Sequence, residues 1–331
     1  MSTATATQTK SMLEAIHDAL DVALESDPDV FELGEDIQDP KGGGFGIHKG
    51  LSTKYGPERV RCTPISEQAI MGAAVGAALG GMRPVAEIML MNFISVAADQ
   101  LFNHAAKLRY MSGGVTPVPL TVRTTTGAGA GFGAQHSDML ENQLVHVPGL
   151  KVVVPSTAAD AKGLLLSSIF DDDPCVFIEM SSLYFTVRDE VPDGDYRVPL
   201  GSARVAREGS DLTLITYGKQ VLDCLALAEQ LAGEGISLEV IDLRTLQPLD
   251  TDTIFTSVAK THRAVVVHEA VTRGGFGAEL SAQIHSELFG DLAGPVGRVG
   301  GANTPVPYAS SLEQAFLPTS RIEPAVRALL G

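Results

Sequence analysis

The chain has 331 residues, 44% hydrophobic and 19% charged, which suits a globular protein of two domains and excludes a disordered one. A formal net charge of −16, with no Lys/Arg cluster, excludes a phosphate-backbone partner, because nucleic-acid binders need a basic face. No apolar run nears the ~20 residues of a membrane span, since glycines, Arg83 and Glu87 interrupt the longest candidate; neither nucleic acid nor membrane is an expected partner.

Residues 1–10 are rich in Thr and Ala and lack the basic start and long apolar stretch of a secretory signal, so they read as a flexible leader. Residues 11–24 carry apolar side chains at helical spacing (Met12, Ile16, Ala19, Leu20, Ala23, Leu24) and stop at a turn, Asp27-Pro28. A short strand over 30–33 runs into Gly34-Glu35-Asp36, and Lys41-Gly42-Gly43-Gly44-Phe45-Gly46 reads as a mobile loop. Glu67 follows Thr63-Pro64-Ile65-Ser66 and heads a nearly uncharged small-residue helix that reaches Gly81. Pro64 suits a helix start, and a first-turn acid meets the helix dipole favourably. On local sequence alone, Glu67 reads first as a dipole-stabilising acid, and a buried acid with a chemical task is the other reading.

A strand over 83–90, a helix over about 93–110 and an alternating strand over 118–123 come next. The last opens into the glycine-rich stretch 124–133, which ends in Gln135-His136-Ser137. A buried-type strand over 151–154, a helix over 158–169 and a strand over 174–179 close this half. Strands that alternate with helices, several of them near-continuous apolar runs, signify a parallel sheet covered by helices on both faces. The polar, Pro/Gly-rich stretch 188–209 separates a second alternating set: strand 212–216, helix 221–231, strands 237–241 and 264–268, helix 278–288 and a helical tail over 326–330. The expected division is a leader at 1–10, an α/β domain at 11–187, a linker at 188–209 and a second α/β domain at 210–331.

The glycines at 127, 129, 131 and 133 alternate, unlike the Gly-x-Gly-x-x-Gly spacing of a dinucleotide cradle. Such a loop lets backbone approach a ligand or partner and delivers His136 to a defined place. Gly274-Gly275-Phe276-Gly277 reads either as a phosphate-binding turn or as a tight strand-to-helix turn. His136 is one of eight histidines, set apart by its position; an imidazole there can hydrogen-bond a carboxylate or transfer a proton near neutral pH. No histidine pair or acid spacing marks a metal site, no Gly-x-Ser-x-Gly marks a nucleophile, and Phe93 alone reads as core. Cys62, Cys175 and Cys224 have no ligand spacing and suit small apolar side chains in a reducing, cytoplasmic setting.

An ordered set of segments spans almost the whole chain: Leu33-Gly-Glu-Asp36, Lys49-Gly-Leu51, Tyr55-Gly-Pro57, Thr63-Pro-Ile-Ser-Glu67, Gly81-Met-Arg-Pro84, Asn92-Phe93, Tyr110-Met-Ser-Gly-Gly114, Gly133-Ala-Gln-His136, Val147-Pro-Gly-Leu150, Asp160-Ala-Lys-Gly-Leu164, Asp242-Leu-Arg-Thr-Leu246, Pro248-Leu-Asp250 and His268-Glu269. Together they resemble the beta subunit of thiamine diphosphate-dependent 2-oxo acid dehydrogenases, the decarboxylating first component. The resemblance implies a transketolase-like pyrimidine-binding domain, a parallel sheet with helices on both faces, followed by a transketolase C-terminal α/β domain. It implies that Glu67 hydrogen-bonds the aminopyrimidine ring and promotes activation of the cofactor. Phe93 would stack on that ring, Ile65 would also contact the cofactor, and His136 would face the substrate carboxylate or the lipoyl acceptor. A carboxyl in apolar surroundings, raised in pKa, can share a proton with a ring nitrogen.

The family holds the diphosphate and Mg²⁺ through a Gly-Asp-Gly motif, which Gly194-Asp195-Tyr196 and Gly290-Asp291-Leu292 do not match. An alpha subunit is thus expected to supply that half in an alpha-2-beta-2 assembly, with the C-terminal domain helping to dock a lipoyl acyltransferase core. Family members hold a structural K⁺ near Asp171-Asp172-Asp173, where Asp171 and Asp173 are the candidates; the other reading is a solvated acidic turn. The implied activity is that of an oxidoreductase acting on an oxo group with a lipoyl disulfide as acceptor, active only with the alpha subunit. Its substrate would be a 2-oxo acid or acetoin; Thr124-Thr-Thr-Gly127 and Met89-Leu-Met-Asn92 look more like the acetoin branch, and Val96 favours a less polar pocket. Two alternatives stand beside it: the separated C-terminal half of a transketolase-like enzyme, which would call for more His and Arg to hold a sugar phosphate, and a non-catalytic scaffold subunit.

Overall fold

A computed structural model describes residues 6–331, in two compact units: 6–126 with Gln143–Leu200, and Gly127–Asn142 with Gly201–Gly331. The first unit contains strands β1 (Thr7–Ser11), β2 (Val30–Glu35), β3 (Val60–Thr63), β4 (Arg83–Leu90), β5 (Thr121–Thr126), β6 (Lys151–Val153), β7 (Cys175–Met180) and β8 (Arg188–Pro192). Its main sheet runs β6-β7-β5-β4-β2-β3, with every neighbour parallel. Every residue of β5 and β7 is buried, as expected of central strands covered on both faces.

Helix Met12–Ser26 begins with a reciprocal capping box between Ser11 and Glu14 and buries Met12, Ala15, Ile16, Ala19, Leu20, Ala23 and Leu24. It packs against helix Ala158–Ile169, whose first turn is capped by Thr157. Helix Glu67–Leu79 packs against Ile94–Asp99. The single helix expected over 93–110 is instead a succession: a 3₁₀ turn at Met91–Phe93, α-helix at Ile94–Asp99, a π-helical stretch at Gln100–Ala105 and α-helix again at Ala106–Met111.

Three expectations change. Residues 7–11 are no leader: β1 pairs antiparallel with β8, Thr7 opposite Pro192 and Ser11 opposite Arg188, which also takes up the start of the expected linker. Residues 1–5 of that leader lie outside the described residues. The stretch at 41–46 is folded, with Gly42 N–H donating to Gln38 O at 3.0 Å and Gly43 N–H to Asp36 O at 2.9 Å. Finally, the strand expected over 118–123 begins at Thr121 and continues to Thr126, because a fully buried strand has no alternation to mark its register.

The second unit contains β9 (Arg204–Arg207), β10 (Leu212–Thr216), β11 (Leu238–Asp242), β12 (Thr245–Gln247), β13 (Ala264–Val271) and β14 (Gly297–Gly301). A five-stranded sheet runs β14-β13-β10-β11-β9, parallel apart from β9. Leu212, Leu214, Val240, Val265 and Val267 pack with Leu227 and Leu231 of helix Gln220–Ala232 and with Ile322 and Val326 of helix Thr319–Leu330. Since β9 lies within 188–209, this unit begins earlier than the linker reading allowed.

Candidate active site

Parallel strands bring their carboxyl ends to one edge, where open α/β sheets place ligands. At that edge of the first unit β2 ends at Glu35, opposite Thr63 of β3; β3 then leads through Pro64, Ile65 and Ser66 into the helix headed by Glu67. Next along, β4 ends at Leu90, opposite Thr125 of β5, and continues into the turn that carries Phe93. Ile65 and Glu67 thus follow the end of β3 and Phe93 that of β4, with the end of β2 between them. Glu67 and Phe93 are half-buried, whereas Ile65 is 82% exposed. No side chain caps the helix at Ser66, and Glu67 is the acid of its first turn, so the dipole-stabilising position holds.

The acid whose carboxyl is pushed up at this edge is Glu35, by burial first and then by the Glu67, Asp36 and Glu87 carboxylates. Sequence reading named the Leu33-Gly-Glu-Asp36 segment but gave Glu35 no role; an acid at a parallel strand end was the available signal. The structure therefore brings two acids, Glu35 and Glu67, within electrostatic reach beside an exposed apolar side chain.

A buried ionic network supports this edge. His48 faces Glu32 through Nδ1 and Glu87 through Nε2, the latter at 2.7 Å. Arg123 donates to Glu87 at 3.1 Å and, bidentate, to Glu179 at 2.7 and 2.8 Å. Tyr184 OH donates to Glu179 at 2.6 Å and lies 2.7 Å from Thr125 Oγ1. Burial opposes charge on His48, but Glu32 and Glu87 outweigh it and raise its pKa to about 9. Burial likewise pushes Glu87 up, and His48 with Arg123 overcome it, taking the carboxyl down to about 2. With its pKa raised by the two carboxylates, protonated His48 donates to both, and Arg123 Nη1 lies 2.9 Å from its Nε2. Three carboxylates face two cations, and burial pushes Glu179 upward against the pull of Arg123. Nothing in the sequence flagged His48, which lies in a turn, or Arg123, whose charge on the strand β5 was the only trace.

In the second unit the Gly127–Asn142 loop is fixed by acids of that unit. Ala128 N–H donates to Glu269 Oε1 at 2.7 Å, and Gly129 N–H to Glu313 Oε1 at 2.7 Å. Tyr217 OH donates to Glu141 at 2.7 Å, and the Asn142 amide to Gly274 O at 2.6 Å. Burial pushes both Glu141 and Glu269 up to about 7. His136 is half-buried in this loop, its backbone N–H donating to Gly133 O at 3.2 Å.

The remaining candidates have partners within the chain. Asp171 is engaged by Lys151 at 2.7 Å, Asp173 by Arg109 at 2.6 Å, and Asp172 by Arg83 at 3.0 Å. These carboxylates make an ion-paired turn. At Gly275 and Gly277 an added β-carbon would lie 2.8 and 2.7 Å from the His268 ring, so close packing accounts for those glycines without a phosphate. Cys175 and Cys224 are buried, with thiols pushed up by burial, while Cys62 is exposed.

The fold and its strand-end acids define a transketolase-like α/β protein. A family model described as the transketolase pyrimidine binding domain matches residues 8–186, and one described as the transketolase C-terminal domain matches residues 201–321. The beta subunit of acetoin:2,6-dichlorophenolindophenol oxidoreductase of Cupriavidus necator is 46% identical, covering 92% of this chain and 93% of its own. Its Bacillus subtilis counterpart is 45% identical over 97% of both. The beta subunit of the pyruvate dehydrogenase E1 component of Staphylococcus epidermidis is 44% identical over 94% and 95%. A solved structure described as a split gene transketolase, inactive beta4 tetramer, has a TM-score of 0.75 at 24% identity, covering 97% of this chain and 98% of that one; this likeness shows the fold alone. The chain belongs to the family of beta subunits of the first component of 2-oxo acid dehydrogenases, the pyruvate and acetoin enzymes among them. It is an oxidoreductase subunit of a thiamine diphosphate-dependent family and implies an alpha partner. Among the described residues no helix is long and apolar enough to cross a membrane.

Proposed function

We propose that this chain supplies the aminopyrimidine-activating half of a thiamine diphosphate site, with Glu67 as the acid that holds a proton against the ring. The meeting of Glu67 and Glu35 at adjacent strand ends carries this reading. A ring with nitrogens on its edge and a flat apolar face fits what stands there: acids to accept or share a proton, half-buried Phe93 to stack on, and exposed Ile65 to cover. When bound, the cofactor supplies the nucleophilic carbon that this chain's own residues lack. Glu67 orients the ring and manages its proton; Ile65 and Phe93 exclude water from it; His136 serves the substrate carboxylate or the lipoyl acceptor.

The diphosphate and Mg²⁺ are assigned to the alpha subunit, which would complete an alpha-2-beta-2 enzyme that passes its acyl group to a lipoyl acyltransferase. Helix Glu67–Leu79 suits close packing on such a partner, since Ala73 and Gly76 are exposed on it. Acetoin and pyruvate relatives match this chain equally well, at 44–46% identity. Val96, one helical turn beyond Phe93 and 52% exposed, presents an apolar surface that favours acetoin over a charged 2-oxo acid. Three free cysteines suit the cytoplasm. K⁺ has no part in the proposal, because cations of the chain already hold Asp171 and Asp173.

The test is reconstitution with an alpha subunit that carries Gly-Asp-Gly, followed by assay on acetoin and several 2-oxo acids with an artificial electron acceptor. Thiamine-dependent turnover is expected from the assembled enzyme and none from the lone chain. Glu67→Gln should lower kcat by about 10²-fold or more with assembly intact. Normal turnover by that variant would remove the role given to Glu67.

A further inference from the structure

Gly127, Gly129, Gly131 and Gly133 have φ of 114°, 111°, 74° and 74°, while the residues between them keep the ordinary sign. Such alternation turns successive N–H groups toward one side and forms an anion-binding nest. In this protein the anion is its own. Glu313, 2% exposed on helix Ser310–Phe316, accepts from Gly129 N–H at 2.7 Å and from Gly131 N–H at 3.2 Å to each oxygen. Glu269 takes the neighbouring Ala128 N–H. The Tyr308 ring closes over Gly133, where an added β-carbon would lie 2.2 Å away. His136 hangs three residues beyond, its N–H on Gly133 O.

We infer that Glu313 is a positioning residue for His136: its carboxylate fills the nest, fixes the backbone from 129 to 133 and so delivers the imidazole to one place. The glycine alternation thus serves an internal ligand. The inference rests on the reading of His136 as the substrate- or acceptor-facing group. A loop of four glycines would otherwise sample many conformations, and misplacing a catalytic group by about 1 Å can cost on the order of 10²-fold.

The experiment uses the enzyme assembled with its alpha subunit and compares Glu313→Ala, Glu313→Gln, His136→Gln and the Glu313→Ala/His136→Gln double variant, with assembly checked for each. Glu313→Ala should lose about tenfold to 10²-fold in kcat. Added formate, a carboxylate small enough for the emptied nest, should restore several-fold of that loss. Glu313→Gln should keep most activity, because Oε1 alone accepts from both Gly129 and Gly131. The double variant should be no slower than His136→Gln. Full activity of Glu313→Ala, no response to formate in an assembled variant, or losses that multiply in the double variant would each overturn the inference. If Glu313→Ala does not assemble, Glu313→Asp, which keeps the charge and shortens the reach, takes its place: a loss in kcat that does not multiply with His136→Gln is expected, and full activity or multiplying losses would overturn the inference. An impaired His136→Gln beside a fully active Glu313→Ala sinks this inference alone; a fully active His136→Gln sinks the role of His136 as well.

Discussion

Replacing Arg123 by Met tests whether the ionic network beneath the strand ends is held by charge balance. Arg123 is 1% exposed and Glu179 is fully buried, and their bidentate contact at 2.7 and 2.8 Å leaves the carboxylate no access to water. In the intact network Glu32, Glu87 and Glu179 face protonated His48 and Arg123, one negative charge in excess. Arg123→Met makes the excess two and strands Glu179 without a cation, which costs about 3–5 kcal/mol for a buried pair. Removing the stranded acid too, as Arg123→Met/Glu179→Leu, returns the excess to one. The double variant should therefore be the more stable of the two, the usual outcome when a buried ion pair is replaced by apolar groups of similar volume. Since burial already pushes Glu179 upward, protonation should relieve the single variant at low pH, so its deficit is larger at pH 8 than at pH 5.5. Urea unfolding of the isolated chain at both pH values, followed by circular dichroism, measures all three differences. A double variant as unstable as the single one, or a deficit independent of pH, would refute the charge-balance argument and leave packing as the cause.

The same network has an alkaline limit. His48 is raised from an ordinary 6.5 to about 9, so its contribution, on the order of 3 kcal/mol, is fully present below pH 6.5 and lost as pH rises through 9; His48→Gln should flatten stability over that range in the same unfolding series. Thr157 Oγ1 accepts from Asp160 N–H at 3.1 Å at the start of its helix, and Thr157→Ala should cost about 1 kcal/mol with catalysis unchanged, as thermal unfolding and activity of the assembled enzyme would show.

The fold was legible where burial and periodicity coincide. Arg83–Leu90, Ala158–Ile169 and Leu212–Thr216 have the bounds read from sequence, because each is an apolar run ended by a turn or begun by a cap. Among the strands that went unread, Thr7–Ser11, Val60–Thr63 and Gly297–Gly301 are polar or glycine-rich, and long-range pairing rather than their own hydrophobicity makes them strands. In β14 the glycines meet a close neighbour: an added β-carbon at Gly301 would lie 2.5 Å from Glu269 O. The π-helical stretch at Gln100–Ala105 is invisible for a related reason, since one extra residue in a turn leaves apolar spacing nearly unchanged.

The site divides along the same line between local and non-local information. Ile65, Glu67 and Phe93 were named because family-like motifs mark them, and the parallel sheet sets them at one edge: Ile65 and Glu67 follow the end of β3 and Phe93 that of β4, on either side of β2. Glu35 belongs with them by topology alone, being opposite Thr63 across the β2–β3 pair. The groups that hold others in place left no motif. Glu313 stands 184 residues from the amide it accepts, and Glu269 stands 141 from its own. Their partners are glycine and alanine N–H groups, which have no side chain to advertise a contact. A sequence displays side chains that meet substrate more openly than backbone amides that meet acids. In this chain, then, the proposed site residues are the readable layer, and the acids that accept from the glycine loop become visible only once its backbone is seen.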